Sequence, residues 1–362
     1  MRRLWTTLAA GLTGLALTGL SAASASPAAG TPSGHPAAPA HSRTSDSRTS
    51  DSRASDSRTP NSPSARASTP HPAHAPLRRA GRHPVVFSGV AALGHAALHP
   101  ETPPAGANDW SCKPSAAHPR PVVLSHGTVE NMTYNWYTLA PLLADAGYCV
   151  YAFNYGQQDG RYLGLPGSLK TGGVAPIGES AHQLADFVDK VRSATGAAKV
   201  DVVGHSQGGM MPRYYLKYLG GRHKVGKLIA LAPSNHGTDV DGLAKLPGVP
   251  QLLAAGLGPS VHDQMAGSRF LRRLDDGGDT VPEVRYTVIE TAYDEIVTPY
   301  RSAFLKGPHV RNILLQKQCA ADASDHLAVS FDAIALRDVL NALDPAHARK
   351  PGCHPTFPVN GG

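Results

Sequence analysis

Residues 199–211 read KVDVVGHSQGGMM, a short apolar run followed by a glycine-rich turn around one serine. The apolar run predicts a buried strand, and residues 207–219 have the spacing of a helix. Gly204 and Gly208 stand two residues before and two residues after Ser206, where a side chain would keep strand and helix apart. The pattern predicts a sharp strand-to-helix turn that holds Ser206 beside the positive end of the helix.

The rest of the chain alternates apolar runs with amphipathic segments on both sides of this turn. Strands are predicted at 121–125, 148–153, 199–203, 225–231, 284–290 and 310–316. Helices are predicted at 134–146, 177–195, 207–219 and 330–343. Strands that alternate with helices predict an α/β fold, a mostly parallel sheet with helices on both faces. We expect residues 84–362 to form this one domain.

A serine in such a turn acts as a nucleophile when a base removes its proton. In the corresponding chain order, the acid and then the base follow the serine. His326 follows the predicted strand 310–316 and is the best candidate base; Asp294 follows 284–290 and is the best candidate acid. The competing histidines are His236, His262 and His309. The competing carboxylates are Glu295 and, in a polar turn that we interpret as solvated surface, Asp275, Asp276 and Asp279.

A second motif, His126-Gly127-Thr128, directly follows the first predicted strand. Its backbone would lie beside the serine turn, so we expect the N–H groups of Thr128 and Gln207 to form an oxyanion hole. His126 precedes a glycine turn upstream of the serine, and we interpret it as a residue that shapes the loop. This chemistry requires no metal and no cofactor.

The first 83 residues have a different composition from the rest. Residues 1–25 contain an arginine pair, an apolar stretch and a small-x-small site, which predict a secretory signal peptide. Residues 26–83 contain a five-residue repeat beginning at Ser42 and almost no large apolar side chains, which predicts a disordered linker or pro-segment. We therefore expect a secreted, extracellular protein without a membrane span after cleavage.

The charge of the chain is concentrated in the same N-terminal region. The 362 residues carry a formal net charge of +7, whereas residues 83–362 contain equal numbers of basic and acidic side chains. Because the folded part has no basic excess, its composition argues against nucleic acid as a partner.

Four cysteines, an even number without C-x-x-C spacing, indicate two disulfides in an exported protein rather than a zinc site. Three pairings of Cys112, Cys149, Cys319 and Cys353 are possible, and the sequential pairing closes the shortest loops.

Several runs together resemble the secreted actinobacterial lipases of the α/β-hydrolase superfamily, a group related to the small bacterial lipases with little or no lid. These runs are PVVLSHGTVENMTYNW (121–136), KVDVVGHSQGGMMPRYYLKYLGG (199–221), LAPSNHG (231–237), YDEIVTPY (293–300) and SDHLAVSFD (324–332). The resemblance covers about residues 84–355 and implies Ser206, Asp294 and His326 as a catalytic triad. It implies Thr128 and Gln207 as oxyanion donors. It also implies the pairs Cys112–Cys149 and Cys319–Cys353.

The expected function is that of a monomeric, secreted serine ester hydrolase, a lipase whose partner is a lipid or ester substrate at a lipid–water interface. Alternatives that share the triad are a carboxylesterase, a polyester depolymerase, a feruloyl-type esterase and an acyltransferase. A non-catalytic surface protein is disfavoured because every catalytic role has a candidate residue. The apolar insertion 238–262 is either a flap over the site or an ordinary packed excursion.

Overall fold

Six parallel strands form the central sheet of the described residues, which are 82–158, 170–242 and 247–362 of a computed structural model. The predicted signal peptide lies outside these residues, as does the predicted linker except for its last two positions. None of the helices within the described ranges is long and apolar enough to span a bilayer.

The sheet has the strand order β2-β1-β3-β4-β5-β6, and every neighbouring pair is parallel. The strands are β1 (Val122–Ser125), β2 (Val150–Phe153), β3 (Val200–His205), β4 (Val225–Leu231), β5 (Arg285–Glu290) and β6 (Val310–Leu314). Since all strands run in one direction, the residues that follow β1, β3, β5 and β6 meet at the same edge of the sheet.

The helices cover both faces of the sheet. They are α1 (Gly89–Leu98), α2 (Met132–Asn135), α3 (Leu139–Asp145), α4 (Ile177–Thr195), α5 (Gln207–Tyr218), α6 (Val249–Leu257), α7 (Pro259–Asp263), α8 (Arg269–Asp275), α9 (Leu315–Gln318) and α10 (Ala333–Leu343). Short 3-10 turns lie at Gly221–His223, Tyr300–Ala303, Ala328–Ser330 and Pro345–His347.

Neighbouring residues of the central strand β3 point into two separate cores. Val202 packs with Leu184 of α4 and Met211 of α5 on one face. Val203 packs with Leu139 of α3 and Val339 of α10 on the other face. Alternating side chains along a strand reach opposite faces, and here both faces are apolar because both are covered by helices. The predicted α/β fold with helices on both faces is confirmed.

The helix predicted at 134–146 is divided into α2 and α3. Asn131 caps the start of α2 by accepting a hydrogen bond from the Tyr134 amide at 2.9 Å. Pro141 lies in the first turn of α3, where its missing amide is tolerated, but in one continuous helix it would leave the carbonyl of Tyr137 without its donor. The closing helix likewise begins at Ala333 rather than at 330, because Asp332 caps it.

The two ends of the domain lie against each other. The Gly89 amide donates to the Asn360 carbonyl at 3.0 Å, and the Ser88 hydroxyl donates to the Asn360 side chain at 2.7 Å. A Cβ atom on Gly89 would collide with the Val359 carbonyl, so the start of α1 sits directly on the C-terminal segment.

Two disulfides connect neighbouring segments of the chain, and all four cysteines are paired. Cys112 is bonded to Cys149, immediately before β2. Cys319 is bonded to Cys353, which joins the end of α9 to the C-terminal segment.

Replacing Cys319 and Cys353 together with alanine is expected to lower the free energy of unfolding. The disulfide spans a sequence separation of 34 residues. A loop of that length restricts the unfolded chain enough to stabilise the fold by about 4 kcal/mol. Urea unfolding of the wild type and the double variant, followed by circular dichroism, measures the difference. The Cys112–Cys149 pair, at a separation of 37, provides a matched second loop with the same expected loss. An unchanged urea midpoint would contradict the prediction.

Candidate active site

Ser206 occupies the turn between β3 and α5. Its backbone has φ 54° and ψ −124°, a conformation that a non-glycine residue adopts only when its surroundings impose it. A Cβ atom on Gly204 would collide with the Gly208 carbonyl, and one on Gly208 would collide with the carbonyl of Ser125 in β1. Glycines at these two positions therefore allow strand and helix to approach closely enough to form the turn.

Ser206, His326 and Asp294 form one chain of hydrogen bonds. The distance from Ser206 Oγ to His326 Nε2 is 3.0 Å, and the distance from His326 Nδ1 to Asp294 Oδ2 is 2.8 Å. All three side chains are buried. The other carboxylate oxygen of Asp294 accepts from the amides of Ile296 and Val297, which fixes the carboxylate in place.

The electrostatic surroundings of the His326–Asp294 pair favour the charged forms of both side chains. Burial works against a charged His326, but the adjacent Asp294 carboxylate, with Glu295 and Glu130 further away, raises the pKa of His326 to about 9. Burial likewise works against a charged Asp294, but His326 and two backbone amides lower the pKa of that carboxyl. The geometry and the charges allow His326 to take a proton from Ser206.

The predicted oxyanion residues lie next to each other. The Thr128 hydroxyl donates to Gln207 Oε1 at 2.8 Å. Gln264 Nε2 donates to both, at 2.9 Å to Thr128 Oγ1 and 3.1 Å to Gln207 Oε1, and Ser234 in turn donates to Gln264 Oε1. Gln264, which follows the insertion, thus fixes these side chains. Sequence reasoning missed Gln264 because no local motif marks it.

The competing histidines do not reach Ser206. His262 is exposed on α7, and His309 precedes β6 at the opposite end of the sheet. His126 is fully buried and stacked on Tyr155, and burial lowers its pKa to about 4. These positions are consistent with our interpretation of His126 as a residue that shapes the loop.

The polar turn after α8 differs from the prediction. We expected Asp275, Asp276 and Asp279 on a solvated surface, yet the Asp279 side chain is only 11% exposed. It accepts hydrogen bonds from His236 at 3.1 Å and from the Lys306 amide at 2.7 Å. The prediction was wrong for Asp279 because its partners are distant in sequence.

His236, Asp275 and Asp279 are also the residues of metal-ligand type that cluster within the described part of the chain. The buried guanidinium of Arg213 lies 2.9 Å from Asp275 Oδ1 and 3.5 Å from Asp279 Oδ1. Since this cation pairs with both carboxylates, the cluster is an ion-pair network of the fold.

A cavity of about 290 Å³ opens beside Ser206 and His326. Its lining is predominantly apolar, with a few polar groups close to the serine. The apolar lining residues are Val129, Val240, Leu253, Leu257, Val261, Met265, Ile296, Val297 and Leu327. Leu253 and Leu257 belong to α6 and Val261 to α7, so the predicted insertion forms one wall of the cavity.

The parallel sheet, with a serine between its central strand and the following helix, defines an α/β-hydrolase. Lipase B of Aspergillus fumigatus has a similar fold, with a TM-score of 0.54 and 23% identity over 78% of this chain and 64% of that one.

Residues 119–336 match the model of the class 2 lipase family, and the chain belongs to this family. A triacylglycerol lipase of Pseudarthrobacter phenanthrenivorans is 36% identical over 104 residues, 27% of this chain and 28% of that protein. Lipase B of Pseudozyma antarctica is 31% identical over 121 residues, 33% of each chain. The chain thus spans only about a third or less of the length of these two curated relatives.

Proposed function

We propose that this protein is a secreted serine ester hydrolase, a lipase that cleaves acylglycerols or other fatty-acid esters through an acyl-enzyme on Ser206. The observation that carries the proposal is the hydrogen-bonded series Ser206–His326–Asp294, whose serine and histidine line an apolar cavity. Membership of the class 2 lipases and similarity to two curated lipases support the same reaction class.

The first half of the reaction forms the acyl-enzyme. His326 Nε2 takes the Ser206 proton while Oγ attacks the ester carbonyl carbon, and the carbonyl electron pair moves onto oxygen. The N–H groups of Thr128 and Gln207 stabilise this oxyanion, and Asp294 stabilises the imidazolium. The tetrahedral intermediate then collapses, and His326 returns the proton to the departing alcohol oxygen.

The second half releases the acid. A water molecule takes the place of the alcohol, His326 removes its proton, and the hydroxide attacks the acyl carbon. The second tetrahedral intermediate expels Ser206 Oγ, which recovers its proton from His326. The apolar wall formed by α6 and α7 supplies a surface for the acyl chain. Each methylene of the acyl chain that is buried there contributes about 0.8 kcal/mol to binding.

Hydrolysis of p-nitrophenyl esters from acetate to palmitate by the purified protein tests the proposal. We expect hydrolysis that continues on long acyl chains and that disappears in Ser206→Ala. Activity confined to short chains would identify a carboxylesterase instead. A wild type without activity on any ester would overturn the assignment. Adding an alcohol acceptor to the assay separates acyl transfer from hydrolysis by its ester product.

The pH dependence of the reaction should follow His326. The imidazole acts as a base only when it is deprotonated, and its pKa is raised to about 9, chiefly by Asp294 against the effect of burial. We therefore expect kcat/KM to rise with pH, to reach half of its maximum near pH 9, and to be lost as pH falls below that value. Initial rates from pH 5 to 10, corrected for spontaneous hydrolysis, give the profile. A profile that falls across this range would contradict the assignment of His326 as base.

Secretion is part of the proposal. It is supported by the predicted signal peptide at 1–25 and by two disulfides, which persist in oxidising compartments. We also propose a monomer, whose partner is the lipid or ester substrate.

A further inference from the structure

Glu130 is a buried carboxylate outside the catalytic chain. It is 7% exposed, and its Oε2 atom accepts a hydrogen bond from the Gly127 amide at 2.9 Å. The same oxygen lies 3.1 Å from Nδ1 of His205, the residue directly before Ser206. Glu130 therefore connects the turn that carries Thr128 to the end of β3.

His205 continues this connection to the base. Its ring is fully buried, and Nε2 donates to the backbone carbonyl of His326 at 2.9 Å. The ring centroids of His205 and His326 are 5.0 Å apart. One side chain thus joins the peptide of the base to the carboxylate that fixes the oxyanion turn.

Asn135 also contacts both the Gly127 turn and His205. Its Oδ1 accepts from the Gly127 amide at 3.2 Å, and its Nδ2 lies 3.2 Å from His205 Nδ1 and donates to Ser330 at 3.0 Å. A Cβ atom on Gly127 would come within 2.7 Å of Glu130 Oε2. Gly127 is therefore needed for the carboxylate to sit against the turn.

The carboxylate is ionised in this setting. Burial works against its charge, but His205 and the Gly127 amide outweigh burial and lower the pKa of Glu130. The carbonyl of His326 only accepts hydrogen bonds, so His205 Nε2 carries a proton. The Glu130 carboxylate also only accepts hydrogen bonds, and its Oε2 lies 3.1 Å from Nδ1 of the same ring.

We propose that Glu130 and His205 are a pair of positioning residues that fix the oxyanion turn and the base His326 relative to each other. The inference rests on the proposed function, because the pair acts through Gly127 and His326 and contacts no reacting atom. Holding reacting groups within about 1 Å of their productive positions is worth roughly 100-fold in rate.

Two substitutions of Glu130 separate hydrogen bonding from bulk. Glu130→Gln keeps a carbonyl oxygen that can accept from the Gly127 amide and removes the negative charge. Glu130→Met keeps the approximate size but has no acceptor. We expect Glu130→Met to lower kcat about 100-fold with KM changed less than threefold, and Glu130→Gln to restore kcat to within about fivefold of wild type.

The inhibition constant of a tetrahedral inhibitor should change if Glu130 positions the reacting groups, and should not change if Glu130 only stabilises the fold. Butylboronic acid forms a tetrahedral adduct with an active serine and so reports on the oxyanion site and the base together. Its inhibition constant should rise in Glu130→Met by the same factor by which kcat/KM falls.

Asp201 supplies the matched control. It is a buried carboxylate at the other end of β3, paired with Arg120 at 2.7 Å. Asp201→Leu should lower the melting temperature, as loss of a buried ion-pair partner does, and leave kcat and boronate affinity unchanged.

The outcomes separate this inference from the proposed function. A wild-type kcat in Glu130→Met, or an equal loss in the Gln and Met variants, overturns the positioning pair while Ser206-dependent hydrolysis still stands. A wild type with no Ser206-dependent hydrolysis overturns both.

Should Glu130→Met fail to fold, His205→Gln decides, because a glutamine cannot reach both Glu130 and the His326 carbonyl. A loss of at least tenfold in kcat is expected there, and a change below twofold overturns the inference. If neither variant folds, the pair is structural and the inference falls.

Discussion

Replacing Ser206 with alanine is expected to lower kcat for p-nitrophenyl butyrate by about 10⁶-fold, to the residual rate that binding and the oxyanion hole supply alone. The variant removes the Ser206 Oγ atom, which lies 3.0 Å from His326 Nε2 and in the proposed reaction becomes bound to the acyl group. The turn geometry of Ser206 presents Oγ to the base.

The measurement is a stopped assay at high enzyme concentration, which detects so small a residual rate. Ser115→Ala, at an exposed serine, is the matched control and should keep the wild-type rate. The melting temperature should change little in both variants. An alanine variant with more than a tenth of the wild-type kcat would show that the nucleophile lies elsewhere.

Asp294→Asn should have the second largest effect, a loss of about 10⁴-fold in kcat. The amides of Ile296 and Val297 donate to Oδ1 of Asp294, so the carbonyl oxygen of an asparagine is held at that position. Its NH₂ group then faces His326 Nδ1, which has to accept the hydrogen bond. The proton of the imidazole moves to Nε2, and in that tautomer His326 cannot take the proton of Ser206.

The neighbouring carboxylate gives the discriminating control. Glu295 Oε2 lies 3.3 Å from the backbone amide of His326, not from its ring. Glu295→Gln should therefore lower kcat by less than tenfold, since it changes a long-range charge and leaves the tautomer unchanged. If Glu295→Gln were the more damaging of the two variants, the assignment of the acid would have to be exchanged. Both rates are measured at the pH optimum of each protein.

The positions of Ser206, Asp294 and His326 could be predicted from the sequence because a local pattern specifies each of them. The turn around Ser206 depends on glycines two residues away, and the positions of Asp294 and His326 depend on which strands they follow. In a parallel sheet those strands end at one edge, so chain order alone brings the three side chains together.

The remaining features depend on contacts between segments distant in sequence. Gln264 reaches Thr128 across 136 positions, and His205 reaches the His326 carbonyl across 121. Asp279 is partly shielded from solvent by contacts with Arg213 and Lys306, which are distant from its own turn. Such contacts leave no periodicity or motif in the sequence. A polar residue in a turn is therefore predicted to be solvated even where a distant segment shields it.

The contact between Ser88 and Asn360 places the first and last segments of the domain side by side, as circular permutation requires. Because its two ends already touch, a short glycine linker between them would add little loop-closure entropy. The exposed turn at Gly277–Gly278 offers a place where such a ring can be opened. A chain rearranged in this way would carry β5 and β6 ahead of β1, so the acid and the base would be synthesised before the serine. The proposed active site thus depends on the assembled sheet and not on the order in which its strands are synthesised.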